Sequence, residues 1–361
     1  MENDGRRLRA MHRQPLKKLF KRRPKKEILM ERFQYRVLRH AKDVVWFLDY
    51  GMWLLLSPYK FKRLPKIESV VVVEDIGLGD LLVTTPVFRA LKKKYGKVDV
   101  LVKPGMQDVL KGNPHVDNVI TKLEKNYDLG VILHARTNGN YSMSRQLKEK
   151  CRFRIGCTRV GFREGKGFFL HRKTKPTFAI KTKIQDNLDV IRTIGLDGDE
   201  YLEAYTDFVP PVKDYVIFHT HGAYETHNWN KEKWAQLADQ LNTTIVFTGT
   251  DKRYVHDIMS KMRRKDAIDA TGTTIEEYFG WMKYARVVVT VDTSAMHVAA
   301  AFNRKVISLF GPGDPRIWKP YCQESIIIQK GDCHSCHKNY CTLGDHRCMQ
   351  SIEAQDILEK I

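Results

Sequence analysis

The sequence predicts an α/β chain made of two doubly wound, Rossmann-like parallel-sheet domains behind a basic amino-terminal extension. Three observations carry this reading. Short β-branched runs alternate with helical stretches, as a mostly parallel sheet requires. The alternation halts at an acidic, proline-containing connection and then starts again. A length of 361 residues exceeds the usual size of one domain.

The extension comes first in the chain. Residues 1–66 hold 19 basic against 6 acidic side chains, so most of the net charge of +20 sits there. "RRLRAMHRQPLKKLFKRRPKKE" is a cationic run with few apolar residues, and "DVVWFLDYGMWLLLSPYKFKRLPK" adds an aromatic and aliphatic stretch ending in more cations. Its apolar part, residues 44–56, is interrupted by Asp49 and Gly51, whereas a spanning helix needs about 20 apolar residues. It begins too late for a cleavable signal, and no small-residue cleavage site follows. Trp46, Phe47, Trp53 and Tyr59 beside lysines suit a segment lying in the headgroup region of an anionic membrane. A helical hairpin packed on the protein behind a solvated cationic arm is the competing reading, with nucleic acid a weaker third.

The first sheet domain follows, over residues 67–205. "SVVVVED", "KVDVLVK", "VDNVIT", "LGVILHA" and "CRFRIGC" read as its strands. "YLEAYTDFVPPVKD" is the connection. The second domain, 206–361, takes its strands from "YVIFHTHG", "TIVFTGT", "DAIDATG", "ARVVVTVD" and "KVISLFG", with "NKEKWAQLADQL" as a helix. No short-period repeat occurs, which excludes solenoids and propellers. Hydrophobic content of 42% and charged content of 29% exclude wholesale disorder.

Ligands of open α/β sheets bind at the carboxyl ends of strands, so the chemistry belongs in strand-to-helix loops. Two stand out. "EDIGLGD" opens like a dinucleotide turn but carries Asp80 where a third glycine would stand, so the loop supplies its own anion rather than room for a phosphate. Gly77 and Gly79 read as residues of a sharp turn, and the helix is expected to begin at about Asp80, as a helix cap or as a base facing the cleft. In "TVDTSAMH", Thr293 and Ser294 fall at a helix start suited to a diphosphate, Asp292 could accept from sugar hydroxyls, and His297 lies about one turn on. Plain capping accounts equally well for these residues taken alone.

"IGLGDLLVTTPVFRALKKKY", "GWMKYARVVVTVDTSAMHVAAAFNRKVISLFGPGDPRIWKPY" and "CMQSIEAQDIL", in that order and spacing, resemble the lipopolysaccharide heptosyltransferases, glycosyltransferase family 9. The resemblance runs from about Val70 to the C-terminus. It implies the GT-B architecture, an inverting transfer without a catalytic metal or other cofactor, and a nucleotide-activated heptose, usually ADP-heptose, as donor. It also implies a general-base role for Asp80 and donor contacts for Asp292, Thr293, Ser294 and His297.

One departure concerns the leaving group. The family commonly has a lysine two residues before Trp229, and here that position is His227. A histidine serves as the cation only if its pKa is raised. Thr220, between His219 and His221, is a further donor-side candidate, and Asp251 could hold the ribose. Arg89, Lys103, Arg136 and Arg145 are candidate acceptor cations, since lipid-linked sugars such as Kdo carry carboxylates and phosphates that arginine engages in bidentate fashion.

Cys333, Cys336, Cys341 and Cys348 are close enough in sequence to surround one structural zinc or iron, with reduced thiols or disulfides as alternatives. Some resembling transferases bind iron through cysteines here. The expected setting is the cytoplasmic face of the inner membrane, with a lipid-linked glycan acceptor and no nucleic acid partner. Transfer of another nucleotide-activated sugar, or a non-catalytic membrane or nucleic-acid binding role, are the alternatives.

Overall fold

The computed structural model describes residues 44–134, 141–157, 167–331 and 335–361. The cationic run, Arg136 and Cys333 lie outside the described residues.

The first sheet contains β1 (Val70–Glu74), β2 (Val98–Val102), β3 (Asn118–Ile120), β4 (Tyr127–Ile132), β5 (Cys151–Gly156) and β6 (Arg172–Lys173). They pair in parallel in the order β3-β2-β1-β4-β5-β6. The second contains β7 (Tyr215–His219), β8 (Thr244–Gly249), β9 (Ile268–Thr271), β10 (Val287–Val291), β11 (Lys305–Leu309) and β12 (Ser325–Ile328), in the parallel order β12-β11-β10-β7-β8-β9. The β1, β2, β7 and β10 runs are buried along their whole length, which is why they read as continuous apolar runs rather than alternating ones.

In the first domain the helices are α1 (residues 44–56), α2 (Leu78–Leu82), α3 (Thr85–Tyr95), α4 (Tyr141–Lys150) and α5 (Lys183–Arg192). In the second they include α6 (Lys231–Gln240), α7 (Lys252–Lys261), α8 (Ile275–Tyr284) and α9 (Ser294–Ala301). Strand order reverses between β1 and β4 in one sheet and between β7 and β10 in the other. Both loops singled out from the sequence follow a strand at these switch points, where crevices form.

Helix α1 lies on the first domain. Trp53 is buried and its Nε1 donates to Leu170 O at 3.2 Å. Asp49 and Lys173, both buried, pair at 2.6 Å. Trp53 is therefore a packing residue, not the interfacial anchor that the sequence suggested. Phe47 stacks on Phe178 with ring centroids 4.7 Å apart, while Leu48, Leu55, Leu56 and Phe61 stay exposed, beside Lys62 and Arg63. Among the described residues no helix is long and apolar enough to cross a membrane.

The connection between the domains is fastened on both sides. Arg89 on α3 engages Asp199, Glu203 and the Tyr201 carbonyl, and the Glu203 amide donates to Thr85 Oγ1. Three residues later Thr206 donates to Glu276 O at 2.8 Å and accepts from Lys283 Nζ through its carbonyl.

Candidate active site

The acid-bearing loop differs from its sequence reading in one respect. Helix α2 starts at Leu78 with Gly77 as its cap residue, so Asp80 lies inside the first turn rather than at the cap. Gly77 has φ −84° and ψ 172°, which any residue adopts. The pair of glycines is not there for a left-handed turn. Gly79 is required for a different reason: a Cβ on it would lie 3.2 Å from Ser294 Cα and Cβ and 3.3 Å from His297 Cδ2. The backbone of the first domain's loop thus rests against the start of α9 in the second, one residue from Asp80.

On the donor side, Asp292 directly follows β10, and Thr293 precedes α9 in extended conformation without using its side chain as a cap. Capping therefore does not account for Thr293, and the first amides of α9 are available as helix starts leave them. Asp292 is largely buried, and burial pushes its carboxyl up to about 7. A side chain at Gly313 would overlap its Oδ2, so glycine is needed to seat this carboxyl. His227 Nδ1 lies 3.0 Å from Asp292 O and 3.5 Å from its Oδ2. Burial lowers the His227 pKa, and the Asp292 carbonyl only partly opposes this. His227 is a neutral hydrogen-bonding ring beside Asp292.

Around this point several buried polar atoms have no hydrogen-bond partner among the described residues: Thr220 Oγ1, His221 Nδ1, His297 Nδ1 and the Tyr278 hydroxyl. Buried polar groups are rarely left unsatisfied, so such a cluster beside a cleft points to a ligand. His219 and His221 stack at 5.7 Å, and His219 Nδ1 meets Thr248 Oγ1 at 3.1 Å. Burial holds His219 at about 3 and His297 at about 4, so both are neutral at pH 7. Tyr278 gives no sign in the sequence, where it is one aromatic on an amphipathic helix.

The remaining candidates are placed as follows. Asp251 caps α7, accepting from Tyr254 N at 3.0 Å, while its own amide donates to His221 Nε2. Arg89 is neutralised by two carboxylates and stacked 3.4 Å over Tyr201, so it is a strut to the connection instead of an acceptor contact. Lys103 is exposed after β2, and Arg145 pairs with Glu149 one turn on along α4. Cys336 and Cys341 are half-buried, and among the described residues no three potential metal ligands gather. Cys348 packs in the core beside Met349 and Gly311, and the fourth cysteine of the expected site, Cys333, lies outside the described residues.

Two parallel-sheet domains that meet at their switch points, with a polar helix start on one and an acid on the other, form a GT-B architecture. The model of glycosyltransferase family 9 (heptosyltransferase) matches residues 176–346. Lipopolysaccharide heptosyltransferase 3 of Escherichia coli strain K12 is 24% identical over 322 residues, covering 78% of this chain and 93% of its own. A glycosyltransferase family 9 structure from Veillonella parvula superposes with a TM-score of 0.67 at 19% identity, covering 83% of this chain and 97% of that one. The Escherichia coli heptosyltransferase WaaC, solved with ADP, gives 0.63 at 15% identity over 81% and 98% of the two chains. Over residues 176–346 the chain is similar to the heptosyltransferases of glycosyltransferase family 9, and over 78% of its length to lipopolysaccharide heptosyltransferase 3.

Proposed function

We propose that the chain transfers heptose from ADP-heptose to a lipopolysaccharide-core or related glycan acceptor with inversion, using Asp80 as general base. The observation that carries this is the Gly79 contact, which sets the acid of one domain against the α9 start of the other. The diphosphate lies against the amides and hydroxyls of Thr293 and Ser294, and His297 and Thr220 supply the hydrogen bonds their buried atoms lack. Asp292, with His227 behind it, meets the sugar hydroxyls. An acceptor hydroxyl attacks the anomeric carbon from the face opposite the diphosphate. Its proton passes to Asp80, the new glycosidic bond forms, and ADP leaves with the bonding electrons. Lys103 and Arg136 remain acceptor candidates.

The exposed leucines of α1, Phe61 and the neighbouring cations support attachment of the first domain to an anionic membrane surface, where a lipid-linked acceptor would be presented. The test of the reaction is transfer by the purified chain from ADP-heptose, UDP-sugars and GDP-sugars to core glycans, with the product anomer read by NMR. Transfer from ADP-heptose alone, with inverted configuration, is the expected result. Equal use of a UDP- or GDP-sugar would overturn the donor assignment, and a retained anomer the mechanism.

A further inference from the structure

A second carboxyl lies beneath the Asp80 loop. Glu74, the last residue of β1, is fully buried. Its Oε1 is 3.2 Å from Thr84 Oγ1, and its Oε2 is 3.4 Å from His134 Nε2. Thr84 Oγ1 is also 2.9 Å from the backbone carbonyl of Asp80 and receives the Asn187 Nδ2–H at 3.1 Å. Asn187 in turn accepts from Lys183 Nζ at 2.6 Å.

Counting protons decides how these contacts coexist. The Thr84 hydroxyl has one proton to give. The Asp80 carbonyl can only accept, and it is the nearer of the two oxygens. With that proton committed to Asp80, the Thr84–Glu74 contact is a hydrogen bond only if Glu74 supplies a proton of its own. The titratable groups facing Glu74 are Asp80 from α2, Lys183 from α5 and His134 after β4. Burial pushes the Glu74 carboxyl well above the ordinary range; Lys183 and the Thr84 contact oppose this, and the Asp80 charge adds to it. Two carboxyls in unequal surroundings divide into an acid and a base, the more buried one keeping the proton.

We propose that Glu74 is a positioning residue for Asp80: a proton-carrying carboxyl that, through Thr84 and Asn187, fixes the first turn of α2 and leaves Asp80 as the ionised member of the pair. The role in turnover rests on Asp80 being the base; the proton on Glu74 does not.

The test uses the full-length chain and the variants Glu74→Gln and Glu74→Leu. Glu74→Gln keeps a neutral donor toward Thr84 and should hold kcat within about threefold, with the acid limb of the pH profile of kcat/KM unmoved. Glu74→Leu fills the same space without a donor and should lower kcat about tenfold at unchanged donor KM. Independently of activity, the infrared spectrum at pH 7 should contain a protonated carboxyl C=O band that Glu74→Gln removes. An acid limb about one pH unit lower in Glu74→Gln, or loss of kcat in it as large as in Glu74→Leu, would show that Glu74 works as an anion. Absence of the infrared band overturns the proton assignment whether or not Asp80 proves to be the base.

Discussion

Replacing Gly79 by alanine isolates the contact on which the two domains meet. The added methyl would sit 3.2–3.3 Å from Ser294 backbone and side-chain carbons and the His297 ring, so α2 and α9 must separate by a few tenths of an ångström. For stability the effects oppose each other. Alanine in a helix gains about 0.5–1 kcal/mol over glycine, and overpacking costs about 1–3 kcal/mol, so a net loss of about 0–2.5 kcal/mol is expected. For turnover there is no such offset. A misplacement of about 1 Å can cost about 10²-fold, so a few tenths of an ångström between base and donor should lower kcat by about 5- to 10-fold. Gly77→Ala is the matched control: nothing lies within 4 Å of its added methyl and its backbone is extended, so kcat should stay within about twofold. The assay is steady-state ADP release beside thermal melts of both variants. Wild-type kcat in Gly79→Ala, or equal losses in the two variants, would refute the idea that this contact aligns the site.

Asp80→Asn keeps the size of the side chain and should lower kcat by about 10²- to 10⁴-fold with donor affinity nearly unchanged, measured by turnover and by ADP titration. The Asp292 carboxyl keeps its proton up to about 7, against 3.8 ordinarily, so an anionic donor binds better to the protein below that pH than above it. Affinity for an ADP-sugar, whose diphosphate does not titrate here, should therefore fall as pH rises through about 7. Asp292→Asn should flatten the profile in calorimetry, and an unaltered slope would assign it elsewhere. Asp49→Ala removes the carboxylate that pairs with the buried Lys173 ammonium at 2.6 Å and should cost about 3–5 kcal/mol in denaturant melts. Leu55→Ser with Phe61→Ser should weaken binding to anionic vesicles at constant stability, because both side chains are exposed.

The strands were legible because buried parallel strands write themselves as β-branched runs, and the two functional loops because they follow such runs at switch points. β6 and β12 were not. The first is two cationic residues, Arg172 and Lys173, paired to β5, and the second a short edge strand behind Cys322 and Glu324. Their positions come from the sheet, not from local pattern. Within the site, Asp292, Thr293 and Ser294 were readable from a strand ending in polar residues before a helix. The purpose of Gly79 was not, since the close approach is to residues more than 200 positions away. Glu74 was hidden by its place at the end of "VVVVE", where one acid after four valines reads as the edge of a strand. Arg89 and Asp251 show the opposite failure: residue types suited to a ligand, spent on the protein's own carboxylates and amides.

The fastening of the connection has a consequence for motion. Everything up to Glu203 is tied to α3, and Thr206 onward is tied to α8, so only Ala204 and Tyr205 stand between the two bodies. Tyr205 itself abuts Gly112, where a Cβ would come within 3.3 Å of its own. Relative movement is thereby concentrated in the dihedral angles of about two residues, which makes it a rotation about one axis instead of a sliding of faces. Such a rotation displaces atoms in proportion to their distance from the axis. The exposed Lys111–Glu276 ion pair bridges the two bodies, and one buried apolar cluster that includes Leu81 and Leu82 of α2 and Ala295 and Met296 of α9 spans them. A rotation about these residues would part the Gly79–Ser294 seam, and substitutions at Ala204 or Tyr205 would then change the pace of ADP release without touching any group that handles the sugar.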